Sequence, residues 1–179
     1  MKVITGKVRV NYPNIFTPSR LEGSKEDKYS ITILIPKTDI DTIEKIQEAI
    51  CECKVAIFDK FDSIPDNIKT PLRDGDIEKP DNKAYENHYF INATSKFKPG
   101  VVDRYLNKIH DSSEIYSGCY IRASLNFYPY SNKDVCGVGC GINNIQKISD
   151  GELILSNSRP EDDFGVIDSE EILWFYPLI

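Results

Sequence analysis

Val8, Val10 and Tyr12 alternate with Lys7, Arg9 and Asn11, the two-residue period of a strand with one face in a core. Pro13 and Pro18 then bracket a loop holding Phe16. Residues 29–35 (YSITILI) are β-branched and alternating, and Pro36 stops them, which predicts a second strand. One helix follows. Thr38 can cap it with Asp41 three residues on, and Ile40, Ile43, Ile46, Ile50, Ile57 and Phe61 recur near helical spacing to about residue 60. Residues 62–87 hold Pro65, Pro71, Gly75 and Pro80 among many polar residues and read as a long loop, a length usually tied to function or disorder. Residues 88–95 (HYFINATS), 119–130 and 135–143 supply three more strands. The inventory is mainly β with one main helix. It suits a five-stranded OB-fold barrel with a long loop, and equally a sandwich. The predicted organisation is a domain over 1–150, then a linker and C-terminal tail over 151–179.

The fourth strand carries the most informative chemistry. On residues 120–130 one face presents Ile121, Ala123, Leu125 and Phe127, a core row. The other presents Tyr120, Arg122, Ser124, Asn126, Tyr128 and Tyr130. Flat rings beside a guanidinium suit single-stranded nucleic acid, because every base has a π-face and the cation neutralises the backbone. Tyrosine also pairs well across sheets, so spacing alone leaves both readings open. In the next strand Gly137, Gly139 and Gly141 strip one face of side chains, which lets a ring, a ligand or another backbone approach, or packs a barrel corner.

Charge changes the picture through its distribution. The net charge of −6 argues against a nucleic-acid partner, yet six of the 28 acids lie within 161–179, where no Lys or Arg occurs. The remaining body carries 22 acidic and 22 basic side chains, a neutral domain with an acidic end. Between residues 96 and 147 seven cations (Lys96, Lys98, Arg104, Lys108, Arg122, Lys133, Lys147) face four acids, and Phe97 sits between two lysines. Aromatic residues interleaved with basic ones are the composition of a single-strand groove.

Other chemistry is weaker. Five cysteines in C-x-C and C-x₃-C spacing with two histidines do not make a common zinc site and read as buried free thiols. Asp74, Asp76 and Asp103 could hold a divalent cation in a nuclease, although Asp-Gly at 74–75 also signals a simple turn. No apolar run approaches the ~20 residues of a membrane span, and no signal peptide stands at the start, so an intracellular, cytoplasmic protein without cofactor is expected.

Several segments in order, Asn11–Phe16, Leu72–Asp76, Val101–Asp103, Tyr116–Tyr120, Arg122–Tyr128, Gly141–Lys147 and Glu161–Phe164, resemble a family of bacteriophage single-stranded DNA-binding proteins long catalogued as a domain of unknown function. The resemblance covers roughly residues 1–165. It implies an OB-fold that coats single-stranded DNA in phage replication or recombination without catalysis, and an acidic tail that docks partners and competes with DNA. The expected DNA-binding residues are Tyr116, Tyr120, Arg122, Asn126, Tyr128, Tyr130, Lys96, Phe97, Lys98, Arg104 and Lys147. The expected partner-binding residues are Asp162, Asp163, Phe164, Trp174 and Phe175, and a homodimer is compatible with the chain. The sequence departs from the family at its end, where residues 172–179 (ILWFYPLI) carry no charged side chain. They suit a partner-docking peptide or a final strand on the core. An interaction module working through this tip is the alternative function.

Overall fold

The computed structural model describes residues 1–20, 26–58, 68–132 and 135–154. Its elements are β1 (Lys2–Ile4), β2 (Val8–Arg20), β3 (Asp27–Pro36), α1 (Ile40–Phe58), β4 (Arg73–Asp74), α2 (Gly75–Glu78), β5 (His88–Ser95), β6 (Gly100–Val102), β7 (Tyr120–Asn132) and β8 (Val135–Ser149), with short 3₁₀ turns at Lys83–Tyr85 and Ser112–Glu114. Hydrogen bonding runs β2–β3–β5–β8–β7 and back to β2, a closed ring of five strands. This is the OB-type barrel. All pairings in the ring are antiparallel except β5–β8, which is parallel. Closure on that side rests on one residue pair, Thr94 with Gly141. Beyond it β8 takes up other partners on the same edge, β6 at Asn144–Gln146 and Lys69 at Gly137.

The alternation read in the sequence fills the barrel. Val8, Val10, Ile31, Ile33, Ile35, Ile91, Ala93, Ile121, Ala123, Leu125, Phe127, Val138 and Ile142 point inward and are buried. Helix α1 contributes Ile43, Ile46, Ile50, Cys53 and Ile57 to this core and packs against β1, β7 and β8. Its cap differs from expectation. Asp39, not Thr38, accepts the Thr42 N–H (3.2 Å), and its own carbonyl takes the first helical bond from Ile43.

The first strand also departs from the reading. Val8–Arg20 is one strand with two register shifts rather than a strand followed by a loop. Tyr12 stands at φ +47°, and the extra residue reverses the alternation beyond it. Asn11 stays on the outer face, in register with Thr32, and is buried there at 1% exposure with its amide donating to the Tyr85 hydroxyl (3.3 Å), while Tyr12, expected on the core face, is exposed. A periodic pattern cannot reveal an inserted residue whose neighbours are Asn and Pro.

Outside the ring, Leu34, Phe90 and Tyr85 form a second small cluster in which the two rings meet edge to face at 5.1 Å. Past β8 the chain is tied down as far as Ile154. The Tyr116 hydroxyl donates to the Gly151 carbonyl (3.0 Å), Arg9 Nη2 donates to the Glu152 carbonyl (2.6 Å), and Ile154 N–H donates to the Ser117 carbonyl (2.9 Å). The acidic and apolar residues expected to bind partners lie outside the described residues. Cysteines 53, 119, 136 and 140 are buried free thiols, and burial pushes Cys140 up to about 12, which keeps it unreactive. Cys51, against expectation, is exposed on α1. Among the described residues no helix is long and apolar enough to cross a membrane.

Candidate nucleic-acid interface

Because β5 and β8 pair at a single position, they diverge and leave a cleft over the seam. Lys69–Arg73 and Glu78 line it on one side, Asn92 and Thr94 of β5 form its floor, and Tyr128, Tyr130 and Val138–Cys140 form the other wall. The two tyrosines are held there by the glycines of β8. Tyr128 is in register with Gly139 and Tyr130 with Gly137. A methyl group on Gly139 would stand 2.6 Å from Tyr128 Cζ, and one on Gly137 would stand 2.7 Å from the Tyr130 hydroxyl. The glycine row is therefore not an empty groove beside the tyrosines. It is the bed on which their rings lie, an arrangement only Gly permits at such approach. Tyr128 keeps 42% of its surface exposed, and partial burial pushes its phenol pKa up, so it stays protonated.

Two cations, Lys69 and Arg73, line this cleft. Lys69 is exposed. Arg73 lies over the Phe90 ring (4.6 Å) and is ion-paired with Glu78. Two residues past Thr94 comes Lys96, bonded to Glu26 at 2.6 Å, then Phe97 at 83% exposure, then Lys98 over the Phe16 ring (5.7 Å). Of the residues expected from the sequence, Tyr128 and Tyr130 line the cleft. Asn126 is in register with Gly141 at the seam, its side chain accepting from the Met1 amino group (3.3 Å). Lys96, Phe97 and Lys98 follow Thr94 in the chain, outside the lining. Lys69, Arg73, Asn92 and Thr94, which also line the cleft, were missed. Arg73 sits inside the Leu72–Asp76 motif, but no local signal marks the pairing of Lys69 with Gly137.

The remaining expected residues lie on or beside the other end of β7, where Tyr120 is about 26 Å and Arg122 about 20 Å along the strand from Tyr128 at ~3.3 Å per residue. Their groups are engaged within the protein. Lys7 sits over the Tyr120 ring at 4.3 Å, and Tyr116 holds Gly151. Burial works against the charge of Lys147, but its ion pairs with Asp150 (2.8 Å) and Glu114 (2.5 Å) prevail and raise its pKa. Arg122 donates to the Thr5 carbonyl (3.3 Å), and Arg104 to the Ile148 carbonyl (2.7 Å).

The three acids considered for a metal serve the backbone instead. Lys37 Nζ lies 2.8 Å from both Asp74 and Asp76 and fills the place between them. Asp74 also accepts from the Asp76 N–H (3.0 Å) as the cap of α2, and Asp76 from the Asn87 N–H (2.7 Å). Asp103 closes its own turn with Tyr105 and Asn107. Among the described residues no three His, Cys, Asp or Glu side chains are grouped to hold an ion. The Lys37 ammonium, and after it the Asn87 N–H, hold the Asp76 carboxyl below its ordinary value of 3.8. Its contribution to stability is therefore present above pH 3.8 and lost as pH falls through the lowered folded value. Melting temperatures from pH 6 to 2.5 should show wild type above Asp76→Asn at pH 6, with the gap closing below pH 4; a constant gap would mean that this carboxylate is not linked to folding.

Comparison with known proteins decides the family. The sequence matches the family described as Enterobacter phage Enc34, ssDNA-binding protein, over residues 1–173. The chain belongs to the Enc34 ssDNA-binding protein family. It is 31% identical to putative protein p50 of Acyrthosiphon pisum secondary endosymbiont phage 1, an alignment covering 97% of this chain and 99% of that one. Its fold is similar to the single-stranded DNA-binding protein of bacteriophage Enc34 solved in complex with ssDNA, with TM-score 0.76, 26% identity, and 86% and 89% of the two chains covered. The Enc34-type barrel extends to gp2.5, a single-stranded DNA-binding protein encoded by bacteriophage T7. There the TM-score is 0.65 over 88% and 97% of the chains at 14% identity, a likeness of fold alone.

Proposed function

We propose that this protein binds single-stranded DNA without catalysis, laying the strand across the β5–β8 seam. Bases stack on Tyr128, Tyr130 and Phe97, and Lys69, Arg73, Lys96 and Lys98 meet the phosphates. The observation that carries this reading is the pair of tyrosine rings bedded on Gly137 and Gly139 in a cleft lined by Lys69 and Arg73, in a chain of the Enc34 family. Stacking on a pre-placed ring needs no sequence-specific hydrogen bond, so the protein coats DNA of any sequence, as replication and recombination of a phage genome in the host cytoplasm require. The acidic stretch with Asp162, Asp163 and Phe164, and the apolar tip with Trp174 and Phe175, dock protein partners. Self-association as a homodimer is read in the same buffers by sedimentation velocity.

The test is fluorescence anisotropy of labelled oligo(dT) at several salt concentrations, with a duplex as competitor. Each phosphate neutralised on a single strand contributes about −0.7 to the slope of log K against log[salt], so four cations predict a slope of about −3. Tight binding that follows this slope and resists duplex competition supports the reading. Absence of binding at low salt, also after removal of residues 161–179, would sink it and leave the interaction module.

A further inference from the structure

Between β6 and the 3₁₀ turn at Ser112–Glu114, the chain makes a small hairpin whose tip is built in an unusual way. Val102 bridges Lys108, Ile109 N–H donates to the Val101 carbonyl (3.0 Å), and Asp103 N–H to the Asn107 carbonyl (2.9 Å). The Asp103 carboxylate accepts three more bonds, from Tyr105 N–H (2.7 Å), Asn107 N–H (2.9 Å) and the Asn107 amide (2.9 Å). From outside, Gln146 reaches the Asp103 carbonyl (3.4 Å), and Arg104 is pinned to Ile148. At the tip Leu106 stands at φ +68°, a conformation unfavourable for a residue with a branched side chain. This scaffold holds Tyr105 and Leu106 in solvent at 76% and 71% exposure. Backbone strain kept by so many bonds, with an exposed aromatic residue as its product, is a pattern found where the protruding group has work to do.

The surroundings of the ring select its partner. Arg104 and Lys108 flank it in the chain. Arg122 stands exposed on β7 in register with Gln146, the residue that supports the hairpin, and its one hydrogen bond among the described residues, from Nε to the Thr5 carbonyl, leaves its charge unpaired. Neither Lys108 nor Arg122 forms an ion pair with another described residue, and both oxygens of Asp103 are occupied by N–H groups. An exposed aromatic ring between Arg104 and Lys108 in the chain, with Arg122 on the strand beside the supporting Gln146, suits a polyanion with flat bases. A protein contact would instead deplete charge around its apolar centre. We propose that this hairpin is a second single-stranded DNA subsite, with Tyr105 stacking a base and Arg104, Lys108 and Arg122 neutralising the adjoining phosphates. The proposal rests on the reading of the seam as the first site. It adds a second contact displaced along β8 from Gly139 to Gln146, about 23 Å at ~3.3 Å per residue.

The subsite is tested with the full chain, its Tyr105→Ala and Tyr128→Ala variants, and oligo(dT) of 4 and 16 nucleotides, about the range of site sizes for one OB-fold. Tyr105 makes no packing contact that alanine would remove from the core, so its variant should keep the wild-type melting temperature. It should bind the 4-mer as wild type does and the 16-mer about 5- to 100-fold more weakly, whereas Tyr128→Ala weakens both. A 16-mer carrying 5-iododeoxyuridine should photocrosslink to the peptide that contains Tyr105. Unchanged 16-mer affinity in Tyr105→Ala, with no crosslink at that peptide, overturns the subsite and leaves the seam intact. So does a variant that binds a single 16-mer normally but loses only cooperative coating of long strands, since the tip would then contact a neighbouring copy of the protein. Failure of the wild type to bind either oligonucleotide would instead remove the reading of the seam.

Discussion

Replacing Tyr128 and Tyr130 together with alanine is expected to weaken oligo(dT) binding at least about 30-fold while leaving the slope of log K against log[salt] nearly unchanged. Each base stacked on an aromatic ring is worth ~1–3 kcal/mol, and about 1.4 kcal/mol is a factor of ten. The combination of outcomes matters more than either alone. Loss of stacking removes a non-ionic contribution, so the number of phosphates neutralised by Lys69, Arg73, Lys96 and Lys98 stays the same. The rings lie outside the barrel, against glycines on β8 whose inward neighbours Val138 and Cys140 fill the core. The double variant should therefore remain folded, which circular dichroism checks first. A folded variant that binds as wild type does would show the tyrosines to be cross-strand partners of the glycines and nothing more.

Gly75→Ala should lower stability by about 2–3 kcal/mol, or roughly 6–10 °C in melting temperature for a chain of this size. A methyl group on Gly75 would meet two backbone oxygens, that of Tyr85 at 2.4 Å and that of His88 at 2.7 Å. Neither can yield as a side chain would, because His88 opens β5 in register with Pro36 and Tyr85 closes the second cluster over Phe90. The same displacement would shift Arg73 and Glu78, on either side of Gly75, at the edge of the cleft. DNA affinity should fall with stability in this variant, whereas the tyrosine pair separates the two. Thermal unfolding followed by circular dichroism gives the shift, and a melting temperature within 2 °C of wild type would mean that the loop relaxes at little cost.

What the sequence made legible was local. Strict alternation on β7 identified both faces, because Ile121, Ala123, Leu125 and Phe127 recur at the strand's own period. The glycines at 137, 139 and 141 likewise announced a bare face. It did not say which neighbour would cover that face, since the register of Tyr128 against Gly139 is set by the hairpin between β7 and β8 as a whole. The bulge at Tyr12 was hidden because one inserted residue changes direction without changing composition. The choice of Asp39 over Thr38 as helix cap turned on a single position, within the usual uncertainty of helix ends. Asp74 and Asp76 looked like ligands for a cation. The cation proved to be Lys37, some 40 positions earlier in the chain, and nothing in their own neighbourhood points to it. Lys69 and Arg73 were missed for the same reason: proximity created by the ring has no signature in nearby residues.

The single pairing that joins β5 to β8 has a thermodynamic consequence. A ring is only as closed as its least connected junction, and local opening begins where the fewest backbone bonds must break. A strand of DNA lying across that junction would touch both sides at once and act as a clasp. Free energy released by binding would then also hold the barrel shut, and the protein on DNA would resist unfolding in proportion to how fully its site is occupied. In such a molecule the ligand completes the architecture that recognises it.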